Sequence, residues 1–220
     1  MSGRAAPDPK AVREGYEVAA AGYDDRRQDR RHRARWARID RPQLAIARGA
    51  ERVLEIGCGT GRLLAQTRAR YRVGIDLSTA MLRSANESIA RVAADAHALP
   101  FADATFDAVL AGNAVFRYLD YPRAFAECAR VLTGGGRLAV HQYAARTWRT
   151  FGRPRASTGD RLHLRHPDEL CVPAAAAGLA TESVILLRAF RLWPYVLPVP
   201  AWAAGAPLWS YATVIFRKRR

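Results

Sequence analysis

The stretch VLEIGCGTGRLL, Val53 to Leu64, constrains the fold more than any other. An apolar run of strand length breaks into glycines at Gly57, Gly59 and Gly61. A strand that apolar needs cover on both faces, and the glycines free the backbone to turn sharply at its end. The same rhythm then repeats. Arg62 to Arg70 reads as a helix and YRVGID as a second strand. Ser78 is placed to N-cap a helix running to about Ile89, followed by the strands ARVAAD and FDAVLAG. A helix is expected from Pro122 to Leu132, stopped by Gly134, Gly135 and Gly136, and RLAVHQY follows as a fifth strand. Strands alternating with helices imply parallel pairing and right-handed crossovers.

The flanks read differently. Residues 1–10 have the composition of a disordered tail. From Val12 to about Arg38 the pattern is helical and charged, and Pro42 is expected to open a further helix ending near Gly49. Beyond the fifth strand, residues 144–166 read as a basic loop over one end of the sheet. A helix from Asp168, disturbed at Pro173, precedes two strand-like runs, ATESVILLRAF and YATVIFRKR.

Open parallel sheets bind ligands beyond the carboxyl ends of their strands, which is where the glycine loop falls. A dinucleotide site of the G-x-G-x-x-G type needs its third glycine at position 62, where Arg62 stands. No G-K-[ST] follows, so a P-loop is excluded. Acids mark the strand tips instead: Glu55 before the loop, Asp76 after the second strand, Asp95 after the third. An acid at the second tip suits the two hydroxyls of a ribose, and one at the third suits an exocyclic amine such as that of adenine. Such a set favours a nucleoside with a cationic part over a phosphate.

VLEIGCGTG, VGIDLS, DAHALPF, FDAVLAG and RVLTGGGRL, in this order, resemble the class I S-adenosylmethionine-dependent methyltransferases, and most of all the broad bacterial group acting on small molecules. The resemblance covers Arg52 to Tyr143 well and the last strands loosely. It implies an α/β, Rossmann-like three-layer sandwich with a mostly parallel seven-stranded sheet, an antiparallel last strand and an N-terminal helical cap. It implies S-adenosylmethionine as cofactor. Gly57, Cys58, Gly59 and Gly61 would line the methionine end with Glu55 beneath. Asp76 would take the ribose hydroxyls, Asp95 with Ala96 the adenine, and Leu77 or Met81 the adenine face. Tyr16 and Tyr23 resemble the family's closing helix. The chain departs from the family at Thr133, where a proline is usual; this bears on turn rigidity rather than chemistry. The expected organisation is a single methyltransferase domain over 11–220. Its parts are N-terminal helices in 11–50, a cofactor-binding core in 51–143, and an acceptor side in 144–220 that carries a proline-rich insertion at 191–210.

A methyl group on a sulfonium is already activated, so alignment supplies much of the catalysis and a base is needed only where the acceptor must lose a proton. Candidates at the ends of strands four and five are Asn113, which would also touch the cofactor, His141 and Tyr143. A structural role for His141 competes with that of a base. The sequence AGNAVFRY after strand four lacks the (N/D)PP(Y/F) motif of nucleobase and glutamine N-methylation, and no Pro-Cys pair for cytosine chemistry lies nearby.

The formal net charge is +15, nearly all of it from arginine. It speaks to partners and solubility, not to fold. RNA or protein methylation, and a non-catalytic cofactor-fold module, therefore stand as alternatives, although the aromatic-basic interleaving of a single-strand nucleic-acid surface is not evident. Cys58, Cys128 and Cys171 form no CxxC pair and no histidines cluster near them, so neither a disulfide framework nor a metal site is expected, and the compartment is read as cytoplasmic. Between Arg191 and Arg217 no formally charged residue occurs. That run is long enough to cross a bilayer, but Pro194, Pro198, Pro200 and Pro207 each remove a backbone donor. With Trp193, Tyr195, Trp202 and Trp209 it reads as a lid, a dimer surface or a peripheral seat on an anionic membrane. The expected acceptor is a small, apolar molecule.

Overall fold

The computed structural model describes residues 7–24, 30–143, 168–190, 193–199 and 211–220. Eight strands form one sheet in the order β3-β2-β1-β4-β5-β8-β6-β7. They are β1 Arg52–Ile56, β2 Tyr71–Asp76, β3 Ala90–Ala93, β4 Phe106–Ala111, β5 Leu132–Tyr143, β6 Leu179–Phe190, β7 Trp193–Val199 and β8 Tyr211–Lys218. The first five pair in parallel, and β8 inserts antiparallel between β5 and β6. The seven-stranded Rossmann-like arrangement is thus present. An eighth strand, β7, extends it antiparallel along β6. It comes from the start of the proline-rich insertion, and Pro194 and Pro198 are tolerated there because the strand lies at the edge. Residues 200–210, with Trp202 and Trp209, the loop 144–167 and residues 1–6 lie outside the described residues.

Alternation along the strands explains the layers. Leu54, Ile56, Val109, Val140, Val214 and Phe216 point to one face, where α4 (Tyr121–Val131) and α5 (Asp168–Ala176) supply Phe125, Cys128 and Leu170. Val53, Ala108, Leu110, Ala139 and Ile215 point to the other, beneath Ile46 and Ala47 at the end of α2 (Arg30–Ile46). Both faces are covered, which is why these strands read as continuous apolar runs. Asp120 caps α4 by accepting from Arg123 N–H at 3.1 Å.

Several boundaries differ from expectation, each for a local reason. Helix α1 (Pro9–Ala19) starts inside the segment read as a tail, because Asp8 accepts from Lys10 N–H and Pro9 suits the first turn. Pro42 lies within α2 instead of opening a new helix. Arg62–Arg70 holds only a 3-10 turn, Leu64–Gln66, since Leu64 N–H is taken by Glu55 and the Thr67 hydroxyl donates to Leu64 O. The helix after Ser78, α3 (Thr79–Arg83), ends early. There Asn86 N–H donates to Thr60 O while the Asn86 side chain takes Ser88 N–H, local bonds that compete with helix continuation. The glycines 134–136 lie inside β5, at a register shift against β4, and do not form the helix stop.

Among the described residues no helix is long and apolar enough to cross a membrane.

Candidate functional site

Strand β1 is flanked by β2 and β4, so the strand order reverses there and a crevice opens at the carboxyl ends. The loop after β1 turns through Gly57 at φ +63° and Gly59 at φ +54°. A Cβ on Gly57 would stand 2.5 Å from Val115 Cγ2, and one on Gly59 would stand 2.9 Å from Met81 Cε. At Gly57 bare backbone is therefore required for packing as well as for the turn, whereas the flexible end of Met81 could yield to a Cβ at Gly59. Gly61 lies behind this bend against Ile89. Cys58 N–H donates to Ile75 O at 2.9 Å, tying the loop to β2, and burial pushes its thiol pKa up.

Asp76 ends β2 and anchors the loop. One carboxylate oxygen accepts from Gly59 N–H at 2.8 Å, the other from Ser78 N–H at 2.9 Å. Burial raises the pKa of this carboxyl, and the backbone donors offset part of the rise. Ser78 caps α3 by accepting from Met81 N–H at 3.1 Å, which sets Leu77 and Met81 in the wall. Asp95 accepts at one oxygen from His97 N–H, at 2.9 Å, and from His97 Nδ1, at 2.7 Å. The other ring nitrogen of His97 accepts from Asp120 N–H at 2.9 Å, so the ring proton sits on Nδ1 and is donated to Asp95.

Helix α1 crosses the opening. Glu17 reaches Thr79 N–H at 2.7 Å and Ala80 N–H at 3.2 Å, seating α1 on the start of α3. Tyr16 packs edge-on against Tyr23, with ring centroids 6.3 Å apart, and against Tyr118, at 6.1 Å. The result is a cavity of about 1060 Å³, mouth included. Its wall contains Tyr16, Tyr23, Gly57, Cys58, Gly59, Asp76, Leu77, Met81, Asp95, Ala96 and Asn113.

Glu55 and Gly61 are absent from that wall. Glu55 is 1% exposed and accepts from Leu64 N–H at 2.9 Å, and burial raises its pKa to about 8. A carboxyl that is neutral near pH 7 braces the loop and offers little to a cation. His141 and Tyr143 also lie outside the wall. His141 shares the α2 face of β5 with Ala139, is fully buried, and meets the Thr213 hydroxyl through Nδ1 at 3.2 Å. Burial, and secondarily the charge of Arg62, lowers its pKa to about 3. That places it away from base chemistry at neutral pH. Asn113, the third candidate, does reach the cavity.

Sequence reasoning missed several wall residues. Asp24 accepts from the Thr60 hydroxyl at 3.1 Å. Trp36 comes from α2 and carries the Arg62 guanidinium 5.0 Å above its ring, while Asp40 pairs that guanidinium through two bonds. Tyr118 follows a left-handed turn at Asn113 (φ +50°) and Ala114 (φ +56°). His97 stood in plain sight within the strand-tip motif DAHALPF. The other three carry no local signal, because their partners lie far off in sequence.

A family described as "Methyltransferase domain" matches residues 54–140. Two curated relatives cover most of the chain. A malonyl-[acyl-carrier protein] O-methyltransferase from Dechloromonas aromatica is 31% identical over 185 residues, 81% of this chain and 69% of that protein. A demethylmenaquinone methyltransferase from Corynebacterium urealyticum is 33% identical over 200 residues, 85% of this chain and 80% of that protein. Among solved structures, the N-methyltransferase NodS from Bradyrhizobium japonicum WM9, in complex with S-adenosyl-L-homocysteine, shares the fold. Its TM-score is 0.67 at 16% identity, covering 96% of this chain and all of that one.

Proposed function

The chain belongs to the class I S-adenosylmethionine-dependent methyltransferases, with S-adenosylmethionine as its cofactor, and on that premise we propose that it methylates a small acceptor with an apolar body in the cytoplasm. The cavity chemistry fits the cofactor. The glycine backbone of the bend suits the close approach of the methionine end, and two strand-tip carboxylates suit a ribose and an adenine amine. Asp76 would hold the ribose hydroxyls, Asp95 and Ala96 the adenine edge, and Leu77 and Met81 the adenine face. When bound, the cofactor supplies a methyl group already activated by its positively charged sulfur. The remaining tasks belong to the chain. Tyr16 and Tyr23, in the cavity wall, would close over the cofactor and shield it from water. Asn113 and Val115, in the same wall, would meet the acceptor.

The observation that carries the acceptor reading is the apolar part of the cavity wall. Val12, Tyr16, Val115, Tyr118 and Leu119 belong to it, and Tyr16 and Tyr118 add phenols. Of the two curated relatives, the one named for demethylmenaquinone supports an apolar small-molecule acceptor.

Purified protein supplied with methyl-labelled S-adenosylmethionine is expected to label apolar small acids or phenols. It is expected to leave RNA and bulk protein unlabelled. Asp76→Ala should lower that transfer by about 100-fold, because charge-assisted hydrogen bonds to both the loop and the ribose are lost together. Label found only in RNA or protein would overturn the acceptor reading while leaving the methyltransferase assignment intact.

A further inference from the structure

Arg117 is 8% exposed, the most buried arginine among those with a described environment, and it has no carboxylate partner among the described residues. Several other arginines do pair with carboxylates. Arg62 meets Asp40, Arg130 meets Glu127 and Asp103, and Arg137 and Arg217 share Glu182. Those four are all more exposed than Arg117. Arginine stays charged when buried, and a buried charge is costly unless an opposite charge or a full set of acceptors offsets it. Arg117 finds only phenols. Its Nη2 donates to the Tyr118 hydroxyl at 2.6 Å and, more weakly, to the Tyr16 hydroxyl at 3.5 Å. The guanidinium carbon stands 4.5 Å from the Tyr118 ring centre and 5.6 Å from that of Tyr143. Its Nε has no partner among the described residues.

The backbone holds this residue inward on purpose. Two consecutive non-glycine residues, Asn113 and Ala114, take left-handed conformations directly after β4 and turn the segment Val115–Tyr118 under α1. Strain of that kind concentrates where a site is being assembled. Arg117 itself is not in the cavity wall, and the hydroxyl arithmetic passes its influence to the two phenols that are. A guanidinium only donates, so both phenol oxygens accept from it and keep their protons for other partners. The hydroxyls lie 3.3 Å apart, close enough for one to donate to the other, which leaves one phenol proton uncommitted within the pair. Both tyrosines line the cavity.

Building on the methyltransferase reading, we propose that Arg117, Tyr118 and Tyr16 form a subsite for an anionic oxygen of the methyl acceptor. The acceptor is thus an organic acid, a carboxylate or an ionised phenol, on an apolar body. The guanidinium supplies the charge and the phenol hydroxyl supplies the directed hydrogen bond. Arg117 acts through the tyrosines as a specificity-determining group, and an acid that enters ionised requires no base from the wall.

The test uses three probes of matched shape on protein saturated with S-adenosylhomocysteine: heptylbenzoate, heptylphenol and the neutral heptylbenzamide. The wild type should bind an acid at least about tenfold more tightly than the amide. Preference for the benzoate identifies a carboxylate acceptor. A phenol affinity that climbs as pH approaches the phenol's own pKa identifies a phenolate. Arg117→Leu should erase the preference while S-adenosylhomocysteine affinity stays within about twofold. Should that variant fail to fold, Tyr118→Phe, which removes a single hydroxyl, should cut the same preference. Equal binding of acid and amide by the wild type, or a preference that survives both substitutions, overturns the proposal. So does failure of every acid to bind while S-adenosylhomocysteine binds normally. Loss of S-adenosylhomocysteine binding by the wild type would instead sink the methyltransferase reading, and this subsite with it.

Discussion

The two ends of the cavity are built by different means. The proposed cofactor side is made by backbone: glycine turns, strand tips and helix starts whose positions follow from the sheet. Asp76 binds Gly59 and Ser78, neighbours across one strand, and Asp95 binds His97, two residues on. The proposed acceptor side is made by side chains gathered from afar. Tyr16 of α1 meets Tyr118 after β4, and behind that wall Arg117 lies over Tyr143 at the end of β5. Local geometry can be shared across many enzymes with one cofactor, whereas a side-chain cluster can be changed residue by residue as the acceptor changes.

The contrast breaks most visibly at Gly57, the point where the two ends touch. Gly57→Ala adds a Cβ 2.5 Å from Val115 Cγ2 at a positive φ. It should cost about 3 kcal/mol of stability in urea unfolding, from overpacking and backbone strain together. Adding Val115→Ala should recover the packing part and leave the backbone part. Full tolerance of Gly57→Ala would show that the loop is slack and that the cofactor end is no more rigid than the acceptor end.

Two buried titrating groups behind the wall sharpen the same comparison with smaller effects. Glu55 is raised by burial from 4.5 to about 8. Its contribution to stability is complete below its unfolded pKa and drains away as pH rises toward the folded one. Glu55→Gln should remove that slope, a change of roughly 2 kcal/mol in relative stability between about pH 5 and 7. His141 runs the other way, lowered by burial from 6.5 to about 3. Its contribution is complete above the unfolded pKa and is lost as pH falls toward the folded one. His141→Gln should reduce the acid-side loss by roughly 1 kcal/mol between about pH 6 and 5, measured by thermal unfolding. A His141 variant that abolished methyl transfer without touching this profile would return it to the list of bases.

How far each region could be read in advance follows from the same difference. The strands β1 to β5, the glycine bend and the tips at Asp76 and Asp95 were legible because each is signalled by neighbours within a few residues. The short α3 was not, because Asn86 is drawn to Thr60 of the loop by a bond that crosses elements. The 3-10 turn after the loop was not, because the group that caps it, Glu55, comes from the preceding strand. Arg117 stayed hidden for a stronger reason. Nothing about Ala114 announces a φ of +56°, yet that turn carries Arg117 in behind the Tyr118 ring instead of out to solvent. His141 alternates correctly on β5, but only the position of α2 shows that its face is closed.

The most direct test of the account is a crystal structure of the protein with S-adenosylhomocysteine. The ribose hydroxyls should rest on the Asp76 carboxylate, the adenine edge should meet Asp95 and Ala96, and the amino-acid end should lie against Gly57 and Gly59. A ligand seated elsewhere, or an Asp76 and Asp95 turned away from a bound nucleoside, would contradict it.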